Sequence, residues 1–117
     1  MGALSTHVLD TASGRPAADL RIDLALIDGA GTRWLKTVHT NARGRTDRPL
    51  LDAGELALAR YELTFHVADY FRALGAVLAE PAFLDTVPVR FAISDLAQGW
   101  HVPLLVTPWS YSTYRGS

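Results

Sequence analysis

The feature that most constrains this chain is a period of two. Leu4, Thr6 and Val8 alternate with Ser5, His7 and Leu9. Leu20, Ile22, Leu24 and Leu26 alternate with Arg21, Asp23 and Ala25. The same alternation returns at Tyr61 to Val67, at Val87 to Ile93 and at Trp100 to Val106. Successive strand side chains point to opposite faces, so each stretch reads as a half-buried strand. Turn formers separate them: Asp10 to Pro16, Asp28-Gly29-Ala30-Gly31 leading into a strand over Arg33 to Thr40, and Asn41-Ala42-Arg43-Gly44-Arg45. Asp47 to Leu58 is irregular and reads as loop with a short edge strand. Ala68 to Gly75 has the composition of a short helix. Seven or so closely spaced strands with one helix predict an all-β fold, an antiparallel β-sandwich. Pro103 has no N–H to give a ladder, so the last strand should be irregular or near an edge there.

At 117 residues, with no linker or internal repeat, the chain reads as one domain spanning 1–117. Its 49% hydrophobic content suits a packed core. It has no cysteine, which excludes a thiol nucleophile, a disulfide framework and a Cys-rich metal site. The formal charge of −1 gives no basic field for nucleic acid or an anionic membrane. No run reaches the roughly 18 apolar residues that span a bilayer. The start lacks a basic segment and a long apolar stretch, so no secretory signal is expected, and a cytoplasmic location follows. Met1-Gly2-Ala3-Leu4-Ser5-Thr6 fits a myristoylation pattern, but that pattern is short and common.

Any chemistry must therefore come from His, Arg, Ser, Tyr, Asp or Glu. Of the four histidines, His7 and His101 lie opposite the aliphatic face of their strands and should point away from the core. Two surface histidines are the plainer reading. The functional reading makes them an acid–base pair, since unperturbed imidazole titrates near neutral pH. His39 and His66 read as structural or solvent-facing. Gly99, two residues before His101, offers no third imidazole, so no metal site and no cofactor are expected. Arg45 is either a solvated turn residue or a forked donor to a carbonyl-rich ligand. The tail Tyr111-Ser112-Thr113-Tyr114-Arg115-Gly116-Ser117 is aromatic and polar without an acid, and suits docking rather than fraying. Nucleophile-elbow, P-loop and dinucleotide fingerprints are absent.

Three segments resemble one family. His101-Val102-Pro103-Leu104-Leu105 through Tyr114-Arg115-Gly116-Ser117 is similar to the signature of the 5-hydroxyisourate hydrolases, the transthyretin-related enzymes of urate breakdown. Leu4-Ser5-Thr6-His7-Val8-Leu9-Asp10 resembles the family's first signature, and Asn41 to Arg45 its Asn-x-Asp-Gly-Arg turn. The resemblance implies a transthyretin-like sandwich of two four-stranded sheets. It also implies a homotetramer, a dimer of dimers, with sites between subunits. It places catalytic roles on His7, Arg45, His101 and Ser117, and substrate contacts on His7, Arg45 and Tyr114. The implied reaction is water addition to a ring carbonyl of 5-hydroxyisourate, opening the ring to 2-oxo-4-hydroxy-4-carboxy-5-ureidoimidazoline.

Three positions depart from the pattern. Gly99-Trp100-His101 stands where His-Tyr-His is usual, Arg43 replaces the turn's Asp, and Trp109-Ser110 replaces Phe-Gly. Two other functions compete: a non-catalytic carrier of the transthyretin type, and a relative acting on a different cyclic amide. The polar set His7, Arg45, His101 and the Tyr-Arg-Gly-Ser tail argues against the carrier. Turnover of fresh 5-hydroxyisourate separates the other two.

Overall fold

The computed structural model describes residues 2–116. Eight strands and one helix follow in order: β1 (Leu4–Asp10), β2 (Arg15–Pro16), β3 (Arg21–Asp28), β4 (Gly31–His39), β5 (Arg60–Phe65), α1 (Val67–Ala73), β6 (Val87–Ala92), β7 (Trp100–Val106) and β8 (Tyr111–Thr113). They form two four-stranded sheets, ordered β2-β1-β7-β8 and β4-β3-β5-β6. The two four-stranded sheets are those the family resemblance implies, and the one short helix is that expected from the chain.

The alternation in the sequence becomes alternation in burial. Along β1 the even positions are buried and the odd ones half-buried. Leu4, Val8, Leu104 and Val106 from the first sheet, and Ile22, Leu24, Leu63, Phe65 and Val87 from the second, are fully buried in one core. Each such side chain contributes roughly 1.5–3 kcal/mol relative to exposure. Thr6 shares this inner face because its hydroxyl donates to the Val102 carbonyl at 2.7 Å, satisfying a buried polar group.

Helix α1 closes one side through Val67, Ala68, Tyr70 and Phe71. The Tyr70 hydroxyl donates to the buried Asp10 carboxylate at 2.9 Å. The other oxygen of that carboxylate accepts the N–H groups of Ala12 and Ser13. One carboxylate thus ties the end of β1, the following turn and the helix together. Gly2 is buried, and its N–H donates to the Leu96 carbonyl at 3.1 Å.

Three details differ from the sequence expectation. First, β1 and β7 run parallel, pairing Ser5 with His101 and His7 with Pro103, whereas the other five pairings are antiparallel. Alternation reports which face a residue takes, not the direction of its neighbour. Second, Asp47 to Leu58 holds no named strand. A single bridge, Leu51 to Leu4, touches β1 there. Third, the tail is an edge strand of its own sheet. β8 pairs with β7, and the same register reappears at Gly116, which bridges His101. Between them the ladder breaks where Pro103 faces Tyr114. His101 and Pro103 turn the same way, toward the tail, and Pro103 has no N–H to donate. The expected irregularity at Pro103 is therefore real, although β7 is an interior strand.

Candidate active site

The site lies on the outer face of the β2-β1-β7-β8 sheet. Strand parity sends Ser5 and His7 outward from β1 and His101 outward from β7, and all three are half-buried. Parallel pairing then sets Ser5 beside His101, with the Ser5 hydroxyl 2.8 Å from His101 Nδ1.

Arg45 arrives from the turn after β4. Asn41 builds that turn. Its side-chain oxygen accepts the N–H groups of Arg43 and Arg45, and its own N–H donates to the Arg45 carbonyl at 2.7 Å. Gly44 has φ +74°, and a Cβ there would fall 2.4 Å from the Val8 carbonyl oxygen. Only glycine allows both the left-handed backbone and this approach. The reward is a hydrogen bond from the Val8 N–H to the Gly44 carbonyl at 2.8 Å, which seats the turn on β1. Arg45 is thereby bridged directly to His7. Arg43, in place of the usual acid, leaves the turn intact.

Arg45, His101, Ser5, Gly99, Trp100, Gly2 and Ala3 line an open hollow of about 560 Å³. A Cβ at Gly99 would meet nothing within 4 Å, so the missing side chain leaves free space at its edge. The tail packs against His101 and Trp100, two residues of that lining. The Gly116 N–H donates to the His101 carbonyl at 2.8 Å. The Arg115 guanidinium lies 4.2 Å from the Trp100 ring centre and donates to Gln98 and to the Gly99 carbonyl.

Electrostatics favour neutral imidazoles. Burial lowers the His7 pKa below 6.5, and the Arg45 cation lowers it further, against a hydrogen bond to the Arg43 backbone. Burial also lowers the His101 pKa, with Arg45 and then His7 adding to the shift. A neutral imidazole beside a fixed cation is the pairing needed for a base and an oxyanion-stabilising group.

His7, Arg45 and His101 are thus brought together. Tyr114 stands apart. It is 60% exposed and lines a different hollow, with Val89, Phe91, Trp100 and Val102. Its register position is opposite Pro103, whose partner on β1 is His7. Ser117 lies outside the described residues. His66 is bonded through Nε2 to Asp23 at 2.8 Å, on the other sheet. His39 lines two further hollows away from His101. Among the described residues no group of three His, Cys, Asp or Glu is placed to hold a metal ion. Sequence reading missed Ser5 and the Arg115–Trp100 stack. Both depend on cross-strand register, which no local pattern reveals.

Residues 4–116 match the family model described as the HIUase/Transthyretin family. The chain belongs to this family. It is 54% identical to "5-hydroxyisourate hydrolase 2" of Rhizobium meliloti, an alignment covering 99% of this chain and 97% of that one. Among solved structures it resembles the 5-hydroxyisourate hydrolase of Klebsiella pneumoniae, with TM-score 0.80 and 32% identity over 99% of this chain and 100% of the other. It also resembles an (S)-allantoin synthase, with TM-score 0.91 and 41% identity. There it matches 99% of this chain but spans only 44% of the longer one.

Proposed function

We propose that this protein is a 5-hydroxyisourate hydrolase acting in urate breakdown. The observation that carries the reading is the placement of two imidazoles of lowered pKa around Arg45, in a chain of this family. The high identity to proteins named for that activity supports the substrate.

His7 and His101 activate and orient a water molecule. The water oxygen bonds to a ring carbonyl carbon as an imidazole takes its proton. Arg45 holds the substrate oxygens and balances the negative charge that develops. The C–N bond to that carbon then breaks, the imidazolium returns a proton to the departing nitrogen, and the ring opens to a carboxylic acid that gives its remaining proton to solvent. The product is 2-oxo-4-hydroxy-4-carboxy-5-ureidoimidazoline. Tyr114 and Ser117 close the site and position the substrate.

The working form in this reading is a homotetramer, a dimer of dimers, in the cytoplasm. The hollow is open, and Tyr114 is largely exposed in a single chain, so a second subunit is needed to complete a pocket. Strands β6 and β8 lie at sheet edges, as β2 and β4 do. Phe83 and Trp109 expose 70% and 61% of their surface while packing together at 6.0 Å. Light scattering tests this: a tetramer is expected, and a monomer with full activity would contradict it. The reaction itself is tested by following the ultraviolet decay of fresh 5-hydroxyisourate. Acceleration over the spontaneous decay is expected. Its absence would favour a carrier or a different cyclic amide.

A further inference from the structure

The hydrogen bond between Ser5 and His101 points to a role for a residue that the mechanism above does not use. Nδ1 and Cδ2 are the two ring atoms that flank Cγ, the root of the ring. Nδ1 lies 2.8 Å from Ser5 Oγ. Cδ2 lies against Gly116, where an added methyl would come within 2.6 Å of it. Both edges of the ring root are therefore held, which leaves Nε2 at the tip of a ring that lines the hollow. Arg45 is on the wall of that hollow.

A neutral imidazole carries one N–H, and the partner of one nitrogen decides what the other presents. A serine hydroxyl can either donate or accept. A guanidinium can only donate, and its positive field opposes an N–H dipole aimed at it. The arrangement with Nδ1–H donating to Ser5, and the Nε2 lone pair facing the Arg45 side, removes that conflict.

We propose that Ser5 is a positioning residue, accepting the Nδ1–H of His101 and so holding Nε2 unprotonated toward the hollow as the base. This rests on the reading of His101 as part of the catalytic machinery. Ser5 also borders the hollow, but its hydroxyl is spent on the His101 ring. It acts through the ring it orients, as outer partners do for metal-bound histidines. Ser5 lies two residues before His7 on the same face of β1, so one strand supplies both a site imidazole and the support of the other.

Ser5→Ala and Ser5→Thr test the assignment, with His101→Asn as the reference. Ser5→Ala is expected to lower kcat about 10- to 100-fold with KM nearly unchanged. Ser5→Thr keeps a hydroxyl and should recover most of the activity. Nitrogen-15 NMR of the His101 ring, assigned by loss of its signals in His101→Asn, reads the tautomer without any turnover. The wild type should show the Nδ1–H form, and Ser5→Ala a mixture. An Nε2–H form in the wild type would overturn the proposal. So would wild-type kcat in Ser5→Ala, or a lowered kcat with an unchanged tautomer. Full activity in His101→Asn would instead remove the site reading beneath it, a failure the NMR result distinguishes.

Discussion

Gly116 and His101 are joined twice. The glycine N–H donates to the histidine carbonyl at 2.8 Å, and the glycine backbone is packed so tightly on the imidazole that a methyl would fall 2.6 Å from Cδ2. The tail is thus a wall for the ring as well as an edge strand. Gly116→Ala should displace the imidazole, because the neighbouring backbone is held by the Arg115–Trp100 stack. A misplacement near 1 Å costs about 100-fold in rate. We expect kcat to fall by about that factor with an unchanged melting temperature, measured by steady-state kinetics and thermal unfolding.

Acid should silence the enzyme. Both imidazoles have pKa values below 6.5, through burial first and Arg45 second. The base form is therefore present at neutral pH and is lost only as pH falls below 6.5. A profile of kcat/KM against pH should show an acid limb with its midpoint under that value. Arg45→Gln removes the cation, so the limb should move to higher pH while the rate at pH 8 drops. The same shifts affect stability. The unfolded chain takes up protons at 6.5 before the folded one does, so this contribution to stability is lost as pH falls below 6.5.

The bond from Tyr70 to Asp10 predicts a stability effect without a catalytic one. Tyr70→Phe removes one donor from a buried carboxylate, leaving Asp10 with the turn N–H groups alone. The loss should be about 1–3 kcal/mol in denaturant unfolding, with kcat unchanged. Burial, with Asp10 behind it, pushes the Tyr70 phenol up to about 12. The unfolded chain therefore loses this proton first, and stability should fall as pH rises above 10. Tyr70→Phe should flatten that alkaline decline.

Gly44→Ala should damage both fold and site. The new methyl would meet the Val8 carbonyl at 2.4 Å in a backbone of positive φ. Such strain costs about 1–3 kcal/mol. Because the turn seats Arg45 beside His7, we expect KM to rise as well, measured alongside unfolding in urea.

Much of this was legible in the sequence. Alternation gave the inner and outer faces of β1, β3, β5, β6 and β7, and with them the outward direction of His7 and His101. Strand β8 left no such signature, because Tyr111, Ser112 and Thr113 are all exposed and no face is apolar. The parallel pairing of β1 and β7 was hidden for a different reason: a strand's pattern is the same whichever way its neighbour runs. The contact of Ser5 with His101 follows from that register and was hidden with it. The family resemblance implies a substrate contact for Tyr114. This tyrosine faces outward on a lone chain, and a role in substrate contact depends on a second subunit.

The central claim is that His101 is the imidazole that moves the proton. Its most direct test is the rate of 5-hydroxyisourate ring opening by His101→Asn, followed by ultraviolet decay at pH 8 against the spontaneous reaction. General acid–base groups contribute about 10²- to 10⁴-fold. We predict a kcat at least 100-fold below wild type in a protein that still folds and assembles. Ring opening at a rate near wild type would contradict the account.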